Sequence, residues 1–441
     1  MKRPRSCWRR AAPRGVALGL GVAGLVAACA SAPRQLWVAE FAPGADSQVV
    51  WLARGRAEDG EIRLYLARGQ AEGGLAWLRQ LPDDADPVVV HGHGVRIVED
   101  TVLLSLRRDW DASGPDELTG VHAFALSDGT PRWRDSEGYV GVDPPLKAHG
   151  SYGDHHQLLV VSAVDPPGVG GRVRAYGASG VQWTSTLEGD LFLSAEAKLT
   201  ERYLVLGDRF ESESESESEQ RWHVIDRRDG SEALMVSQTA FYGFACVSPT
   251  LLFLEQPDGI DRVDLRTLEH RRFASLPLPA PPKRGDWRTL GCGVLEDGSL
   301  VVEVGTPTEA ALARLDASTG ALVSMIDTEG FHAAWFPSAL PPMLATVGAG
   351  DEMDMMGVID LAGGRLVSQR SVEPRRGWHT FVADGRSWVT TRGRIGVIDP
   401  GTGDVAGTRR LGPRWANRDA RAVDGAVWVP TERHERPDRL A

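Results

Sequence analysis

The sequence predicts an all-β protein, and more specifically a β-propeller of eight four-stranded blades, with seven blades as the alternative. Short runs of strand-forming residues alternate with glycine- and aspartate-rich turns from residue 36 to residue 431. No stretch of helical length carries a 3.6-residue apolar period. A hairpin motif also recurs along the chain. A second hairpin type alternates with it, and from Asp100 onward the turns of this second type are spaced by roughly 40 to 55 residues, which is the length of one four-stranded blade.

The clearest copy of this motif is the hairpin at residues 121–133. Its turn contains Asp128 and Gly129, and Trp133 follows four residues after the glycine. A tight turn of this kind needs a positive φ, which glycine adopts without steric cost. Eight outer hairpins of this type predict eight blades; the other seven include Tyr65, Tyr176, Ile225, Val263, Leu315, Ile359 and Ile398.

A second, more apolar hairpin type alternates with the first. Because a blade packs on both of its faces, its inner strands can be apolar without strict alternation. Nine inner hairpins occur, so the last one, at about residues 419–431, has no outer partner of its own. We expect it to pair with the outer hairpin at 62–81, which closes the ring and protects a sheet edge. The hairpin at 36–54 is then an additional lead-in segment.

Three turn segments carry a resemblance to a known superfamily. Residues 126–133, 315–320 and 398–403 resemble the repeat of the pyrroloquinoline-quinone-like propellers. That resemblance implies a tryptophan that docks between adjacent blades. Residues matching its position are Trp77, Trp133 and Trp183, whereas Met235, Phe273 and Met325 lie near it in later copies.

The same superfamily contains quinone-dependent dehydrogenases, but this chain departs from their pattern. The resemblance implies a vicinal cysteine pair, a stacking tryptophan and calcium ligands that include asparagine. This chain has no adjacent cysteines, and Asn417 is its only asparagine. The G-x-S-x-G, H-E-x-x-H and C-x-x-C motifs are absent from the sequence. We therefore expect no cofactor and assign no catalytic residue, and we favour a non-enzymatic protein.

The N-terminal sequence predicts export and attachment to a membrane by a lipid. A basic segment is followed by an uncharged run that is too short for a comfortable membrane span. Leu25-Val26-Ala27-Ala28-Cys29 resembles the bacterial lipobox, which implies cleavage before Cys29 and lipidation of that cysteine. The alternative is an ordinary signal peptide. The predicted organisation is a signal peptide at 1–28, a lipidated anchor at 29–35, the propeller at 36–431 and a tail at 432–441.

The lipobox and the repeats together predict a lipid-anchored scaffold of the bacterial cell envelope. We expect this scaffold to be monomeric and to bind envelope proteins that the sequence does not identify. The outer membrane facing the periplasm is favoured, and surface exposure stays open. A lipobox before such repeats resembles the propeller lipoprotein of outer-membrane barrel assembly. The mature chain has 43 basic and 60 acidic residues, which excludes a general nucleic-acid binder and limits membrane contact to the lipid. The alternative function is an enzyme or small-ligand binder that uses the channel mouth.

The remaining candidate sites are two histidine motifs and one cysteine pair. His91 and His93 share one face of an extended segment, as two metal ligands could, and His155 and His156 are adjacent. Histidines in solvated loops are the favoured interpretation for both motifs, which leaves no assigned metal site. Cys246 and Cys292 are an even pair in an exported chain, so a disulfide is expected, with two buried thiols as the alternative. The Glu-Ser repeat at 211–219 predicts an expanded surface loop.

Overall fold

The computed structural model describes the strands given below and some of the turns between them. It covers residues 35–43, 49–56, 62–70, 74–81, 91–107, 120–136, 150–153, 156–163, 171–187, 198–210, 219–238, 245–275, 288–305, 310–328, 339–348, 354–372, 379–383, 386–391, 394–399, 402, 404–410, 421–423 and 426–428. The predicted signal peptide, Cys29, His155, the tail at 432–441 and residues 211–218 of the Glu-Ser repeat lie outside this part. Within the described ranges there is no helix that could cross a membrane.

The described residues form nine sheets, which we number in chain order. Sheet 1 contains β1 (Gln35–Pro43), β2 (Val49–Arg56), β3 (Ile62–Gln70) and β4 (Gly74–Gln80). Sheet 2 contains β5 (His91–Val98), β6 (Thr101–Arg107), β7 (Gly120–Ala125) and β8 (Pro131–Asp135). Sheet 3 contains β9 (Gly150–Gly153), β10 (Leu158–Ala163), β11 (Gly171–Gly177) and β12 (Gly180–Leu187). Sheet 4 contains β13 (Lys198–Leu199), β14 (Tyr203–Phe210), β15 (Glu219–Asp226) and β16 (Glu232–Gln238).

The second half of the chain continues the series. Sheet 5 contains β17 (Ala245–Val247), β18 (Leu251–Gln256), β19 (Gly259–Asp264) and β20 (Glu269–Ser275). Sheet 6 contains β21 (Arg288–Leu295), β22 (Leu300–Gly305), β23 (Ala310–Leu315) and β24 (Leu322–Asp327), and β25 (Ala339–Leu340) joins it in parallel to β21. Sheet 7 contains β26 (Met343–Gly348), β27 (Asp354–Asp360) and β28 (Arg365–Val372). Sheet 8 contains β29 (His379–Ala383), β30 (Arg386–Thr391), β31 (Arg394–Ile398) and β32 (Val405–Arg410), and sheet 9 is the pair β33 (Arg421–Val423) and β34 (Ala426–Trp428).

The first eight sheets repeat one antiparallel pattern. Strands adjacent in sequence are paired in space, and the outer hairpin of each sheet contains a register shift. Turn glycines with positive φ accompany several of these shifts, for example Gly129 (φ 73°) and Gly320 (φ 69°). Leu268 (φ 61°) adopts the same conformation in sheet 5. The architecture is all-β and consistent with the predicted propeller.

Consecutive sheets pack face to face. Seven apolar clusters join sheet 1 to sheet 2, sheet 2 to sheet 3, and so on to sheet 8. The first strands also meet, since β1 contacts β5, β5 contacts β9, β9 contacts β13 and β17 contacts β21. Sheets 2 to 7 therefore have neighbours on both faces, and this explains the apolar character of their inner hairpins.

The pairing predicted for the chain ends is wrong within the described residues. β2 pairs with β3 along its whole length, from Val49 opposite Gly69 to Arg56 opposite Ile62, so the hairpin at 36–54 belongs to sheet 1 and is no lead-in. β33 and β34 pair with each other rather than with the hairpin at 62–81. Pairing neighbouring hairpins closes a short loop, whereas the expected pairing would have joined the two ends of the chain at a greater entropic cost.

Candidate functional site

The junctions between consecutive sheets contain a recurring hydrogen bond. An indole NH from the fourth strand of one sheet donates to a main-chain carbonyl in the outer turn of the next sheet. This arrangement places the three tryptophans of the sequence motif between sheets. The bonds run from Trp77 Nε1 to Leu126 O (2.9 Å), from Trp133 Nε1 to Ala178 O (2.8 Å) and from Trp183 Nε1 to Arg227 O (2.8 Å).

A turn glycine lets the indole ring approach the next sheet. At Gly129 an added Cβ would lie 2.8 Å from Cε3 of Trp77, and at Gly230 it would collide with the Trp183 ring. Both glycines have positive φ, 73° and 75°. These positions therefore require glycine for two reasons, the backbone conformation and the space taken by the ring.

Gly230→Ala is expected to lower the free energy of unfolding by about 2–4 kcal/mol, since it adds backbone strain and a collision with the ring. Gly407→Ala is the matched control, because Gly407 also has a positive φ (61°) but an added Cβ would meet nothing within 4 Å. That control is expected to cost only about 1–2 kcal/mol. Urea denaturation of both variants measures the difference, and equal losses would show that the indole contact is unimportant.

Wherever tryptophan or arginine is the donor, it comes from one cross-strand pair, which we call the docking pair. It joins a residue of the third strand to a residue of the fourth strand on the same sheet face. The pairs of sheets 1 to 7 are Arg68/Trp77, Ala123/Trp133, Ala175/Trp183, Val224/Leu234, Arg262/Arg271, Arg314/Ser324 and Val358/Ser368. Among these docking pairs, tryptophan occurs only in sheets 1 to 3.

Arginine replaces tryptophan as the donor in sheets 5 and 6. Arg262 donates to Ala317 O (2.6 Å), and Arg314 donates to Ala362 O (2.9 Å). These residues were not predicted from the sequence, although each arginine lies two positions before the turn aspartate. Of the residues expected near the motif position, Met235 is exposed, Phe273 is buried against sheet 6, and Met325 is packed toward sheet 5.

Two junctions differ from this pattern. Between sheets 4 and 5, Gln238 donates to Glu255 O (2.8 Å) and Gln256 donates to Ser237 O (2.9 Å), while Leu234 packs in the shared core. Between sheets 7 and 8 the docking pair is Val358/Ser368, which has no large donor. A cavity of about 380 Å³ lies at this junction.

This cavity is the candidate binding site. It is of the size that small-molecule pockets have. Its lining is mainly apolar, with one cation and one carboxylate; the lining includes Met343, Arg386, Ser387, Ile398, Asp399 and Ala406. Ser387 Oγ donates to Met343 O (2.8 Å), and Asp399 Oδ1 accepts from the amide of Thr402 (2.9 Å). Arg386 is exposed, and it has no ion-pair partner among the described residues.

Charge also stabilises the turn that receives Trp183. The Asp226 carboxylate is 5% exposed and accepts from the guanidinium groups of Arg228 (2.7 Å) and Arg202 (3.2 Å). The hydrogen bond from Arg228 holds the pKa of Asp226 well below its usual range. The ion pairs therefore stabilise the turn next to Arg227.

Asp226→Asn is expected to lower the free energy of unfolding at pH 7 by about 1–3 kcal/mol, because it removes charge-assisted hydrogen bonds from a buried group. Because the pKa is lowered in the folded state, this contribution is complete above the unfolded value of about 4 and is lost as the pH falls toward the folded value. The stability difference between the two proteins should therefore shrink below pH 4. A difference that stayed constant down to the acid transition would contradict this assignment.

The histidine motifs lie on neighbouring sheets. His91 and His93 are in β5 of sheet 2, His156 is exposed just before β10 of sheet 3, and β5 contacts β10. Among the residues that the structure describes, no three potential metal ligands from His, Cys, Asp and Glu form a group.

Cys246 and Cys292 form a disulfide in the structure. Cys246 lies in β17 of sheet 5 and Cys292 in β21 of sheet 6, with their Cα atoms 5.8 Å apart. Both belong to the apolar cluster between these sheets. The bond therefore joins the first strands of two neighbouring sheets.

No family model and no curated protein match the sequence. The solved structures similar to this chain include the dihydro-heme d1 dehydrogenase NirN in complex with DHE (TM-score 0.40, 15% identity, 88% of this chain and 77% of that chain). They also include AztD of Citrobacter koseri (TM-score 0.45, 12% identity, 84% and 96%) and the quinohemoprotein alcohol dehydrogenase ADHIIG of Pseudomonas putida HK5 (TM-score 0.43, 12% identity, 89% and 70%). Similarity at this level carries no conclusion about what the chain binds or catalyses.

Proposed function

We propose that the chain is an eight-bladed β-propeller whose first and eighth sheets close the ring. The burial of the two terminal sheets supports this closure. Trp51 (4% exposed) and Tyr65 (3%) lie on the face of sheet 1 that points away from sheet 2. Ile395 (4%) lies on the face of sheet 8 opposite the one that packs on sheet 7. Large apolar side chains are buried on both faces, so each terminal sheet needs a second neighbour.

A double-mutant cycle with Trp51→Ala and Ile395→Ala tests the closure. Each single variant should destabilise the protein by about 2–5 kcal/mol. If the two faces form one core, the double variant should depart from the sum by more than about 0.5 kcal/mol. Strictly additive losses would argue that each face is covered by something else.

We propose further that this propeller is a lipid-anchored, non-enzymatic scaffold of the bacterial cell envelope that binds other envelope proteins. The observation that carries this proposal is the lipobox-like segment ending in Cys29, placed before a repetitive array of rigid sheets. Rigid sheets suit a scaffold because they present many variable loops at fixed positions. The favoured location is the outer membrane, facing the periplasm.

Metabolic labelling with an alkyne-bearing palmitate tests the anchor, with Cys29→Ala as the variant and Cys7→Ala as the matched control. The wild type and the control should be labelled and recovered with membranes, whereas Cys29→Ala should be unlabelled.

Crosslinking of the lipidated wild type in native envelopes then tests the scaffold role. Failure to recover any stable partner would remove the support for a scaffold.

The second candidate function is small-ligand binding. The cavity between sheets 7 and 8 supports this function. Its described lining favours binding over catalysis because its one carboxylate, Asp399, already accepts hydrogen bonds from Thr402 and its one cation, Arg386, can attract a ligand's charge.

A further inference from the structure

We propose that the protein faces the membrane with one defined end of its sheets, and that the outer turns and the cavity face the aqueous compartment. This orientation rests on the proposed lipidation of Cys29, and it specifies which surface the anchor leaves free for partners and ligands. Three features support it: the direction of the strands, the alignment of the sheets and the length of the chain between Cys29 and β1.

The register of sheet 1 defines its two ends. At one end β1 begins at Gln35, opposite Arg56, and Arg56 in turn lies opposite Ile62 at the start of β3. At the other end β3 finishes at Gln70, opposite Gly74 at the start of β4. We call these the β1 end and the turn end. Because β3 has nine residues, the two ends are about 25–30 Å apart.

The outer turns of sheets 1 to 7 lie at the same end. Each tryptophan of a docking pair lies near its own outer turn and donates to the outer turn of the next sheet, which aligns sheets 1 to 4. The arginine donors align sheets 5, 6 and 7 in the same way. Sheets 4 and 5 meet through hydrogen bonds between the last residues of β16 and of β18, and both strands finish at the end opposite the outer turns.

The cavity between sheets 7 and 8 also lies at the turn end. Met343 lines it at the start of β26 and is paired with Asp360, the last residue before the outer turn of sheet 7. Asp399 and Ala406 line it from the two sides of the outer turn of sheet 8. A ligand of the cavity therefore binds at the opposite end from Gln35.

The chain between Cys29 and Gln35 is too short to let the turn end face the membrane. Only six peptide bonds join the two residues, and a chain of this length spans at most about 20 Å. This reach is shorter than the sheet, so a lipid on Cys29 keeps the β1 end nearest the membrane. Because β1 contacts β5 and lies three strands inside β4, the anchor leaves from the inner part of that end and not from the outer rim.

Energy transfer to a fluorescent lipid tests this orientation in the lipidated protein bound to phosphatidylcholine vesicles that contain a rhodamine-labelled lipid. Cys246 and Cys292 form a disulfide and the lipid occupies Cys29, so an introduced cysteine is the free thiol that takes the donor dye. Ser136→Cys places the dye just after β8, at the β1 end, and Ser127→Cys places it in the outer turn of the same hairpin. Both serines are exposed, so they form a matched pair.

Transfer from Ser136→Cys should be at least about twofold more efficient than transfer from Ser127→Cys, because the two positions differ in height above the membrane by about 20 Å. Ser237→Cys and Ser231→Cys, at the two ends of β16, should give the same order. Insertion of about 20 glycine and serine residues after Ala30 is the control. It lengthens the flexible tether beyond the length of the sheets, so the difference within each pair should disappear.

The failure of this orientation is distinguishable from the failure of the anchor. Equal transfer from the two ends in membrane-bound protein, or stronger transfer from the outer turns, would overturn the orientation and leave the anchor intact. A wild type that is neither labelled by palmitate nor recovered with membranes would overturn the anchor and the orientation together.

Discussion

Trp183→Ala is expected to lower the free energy of unfolding by about 3–5 kcal/mol, the usual cost of deleting a large buried aromatic side chain. The ring is 8% exposed and packs in the core shared by sheets 3 and 4. Its indole NH donates to Arg227 O, and its ring lies against Gly230. The truncation therefore creates a cavity and removes a donor at the same junction. Urea denaturation followed by circular dichroism measures the loss.

Trp183→Phe separates these two effects. Phenylalanine keeps most of the apolar ring but has no NH, so the expected loss is smaller, about 1–3 kcal/mol. Val181→Ala is a control on the same strand, because Val181 is 48% exposed and its truncation should change stability by less than about 0.5 kcal/mol. If Trp183→Ala were no more destabilising than Val181→Ala, the junction model would be wrong.

The double variant Cys246→Ala/Cys292→Ala is expected to lose about 4 kcal/mol. The disulfide closes a loop of 46 residues, and the chain-entropy model gives this value for the constraint that it places on the unfolded chain. Denaturation of the oxidised wild type and the double variant measures the difference.

Reduction of the wild type provides the control for the deleted sulfur atoms, because it breaks the bond and keeps both side chains in place. Reduced wild type and the double variant should have similar midpoints, both well below that of the oxidised protein. An unchanged midpoint on reduction would show that the bond does not constrain the unfolded chain.

The outer hairpins were predictable because local turn chemistry sets them. Asp128-Gly129 and Thr319-Gly320 mark the turns, and both glycines have the positive φ that these turns require. Burial of the inner strands on both faces likewise follows from their continuous apolar runs, as in β22, where every residue is buried.

The pairing at the chain ends and the arginine donors were not predictable in this way. Because the sequence contains nine inner hairpins and only eight outer ones, it does not determine which hairpin pairs with each terminal one. In the structure β2 pairs with its neighbour β3, which differs from the predicted pairing. Arg262 and Arg314 were missed because a motif search looks for one residue type at one position. Both arginines lie in the third strand of their sheet, whereas the tryptophans lie in the fourth, and each arginine reaches the equivalent outer turn of the next sheet. Only the cross-strand register shows that the two positions are paired. The cavity depends on the sizes of residues in two sheets, so it too required the structure.

The hydrogen bonds donated by the docking pairs all have the same kind of acceptor, and this affects which substitutions the repeats tolerate. In each bond the acceptor is a main-chain carbonyl, whatever side chain that residue carries: Leu126, Ala178, Arg227, Ala317 and Ala362. Mutation can alter the donor but cannot delete the acceptor. A repeat can therefore exchange tryptophan for arginine on the adjacent strand and still find a main-chain acceptor in the following sheet.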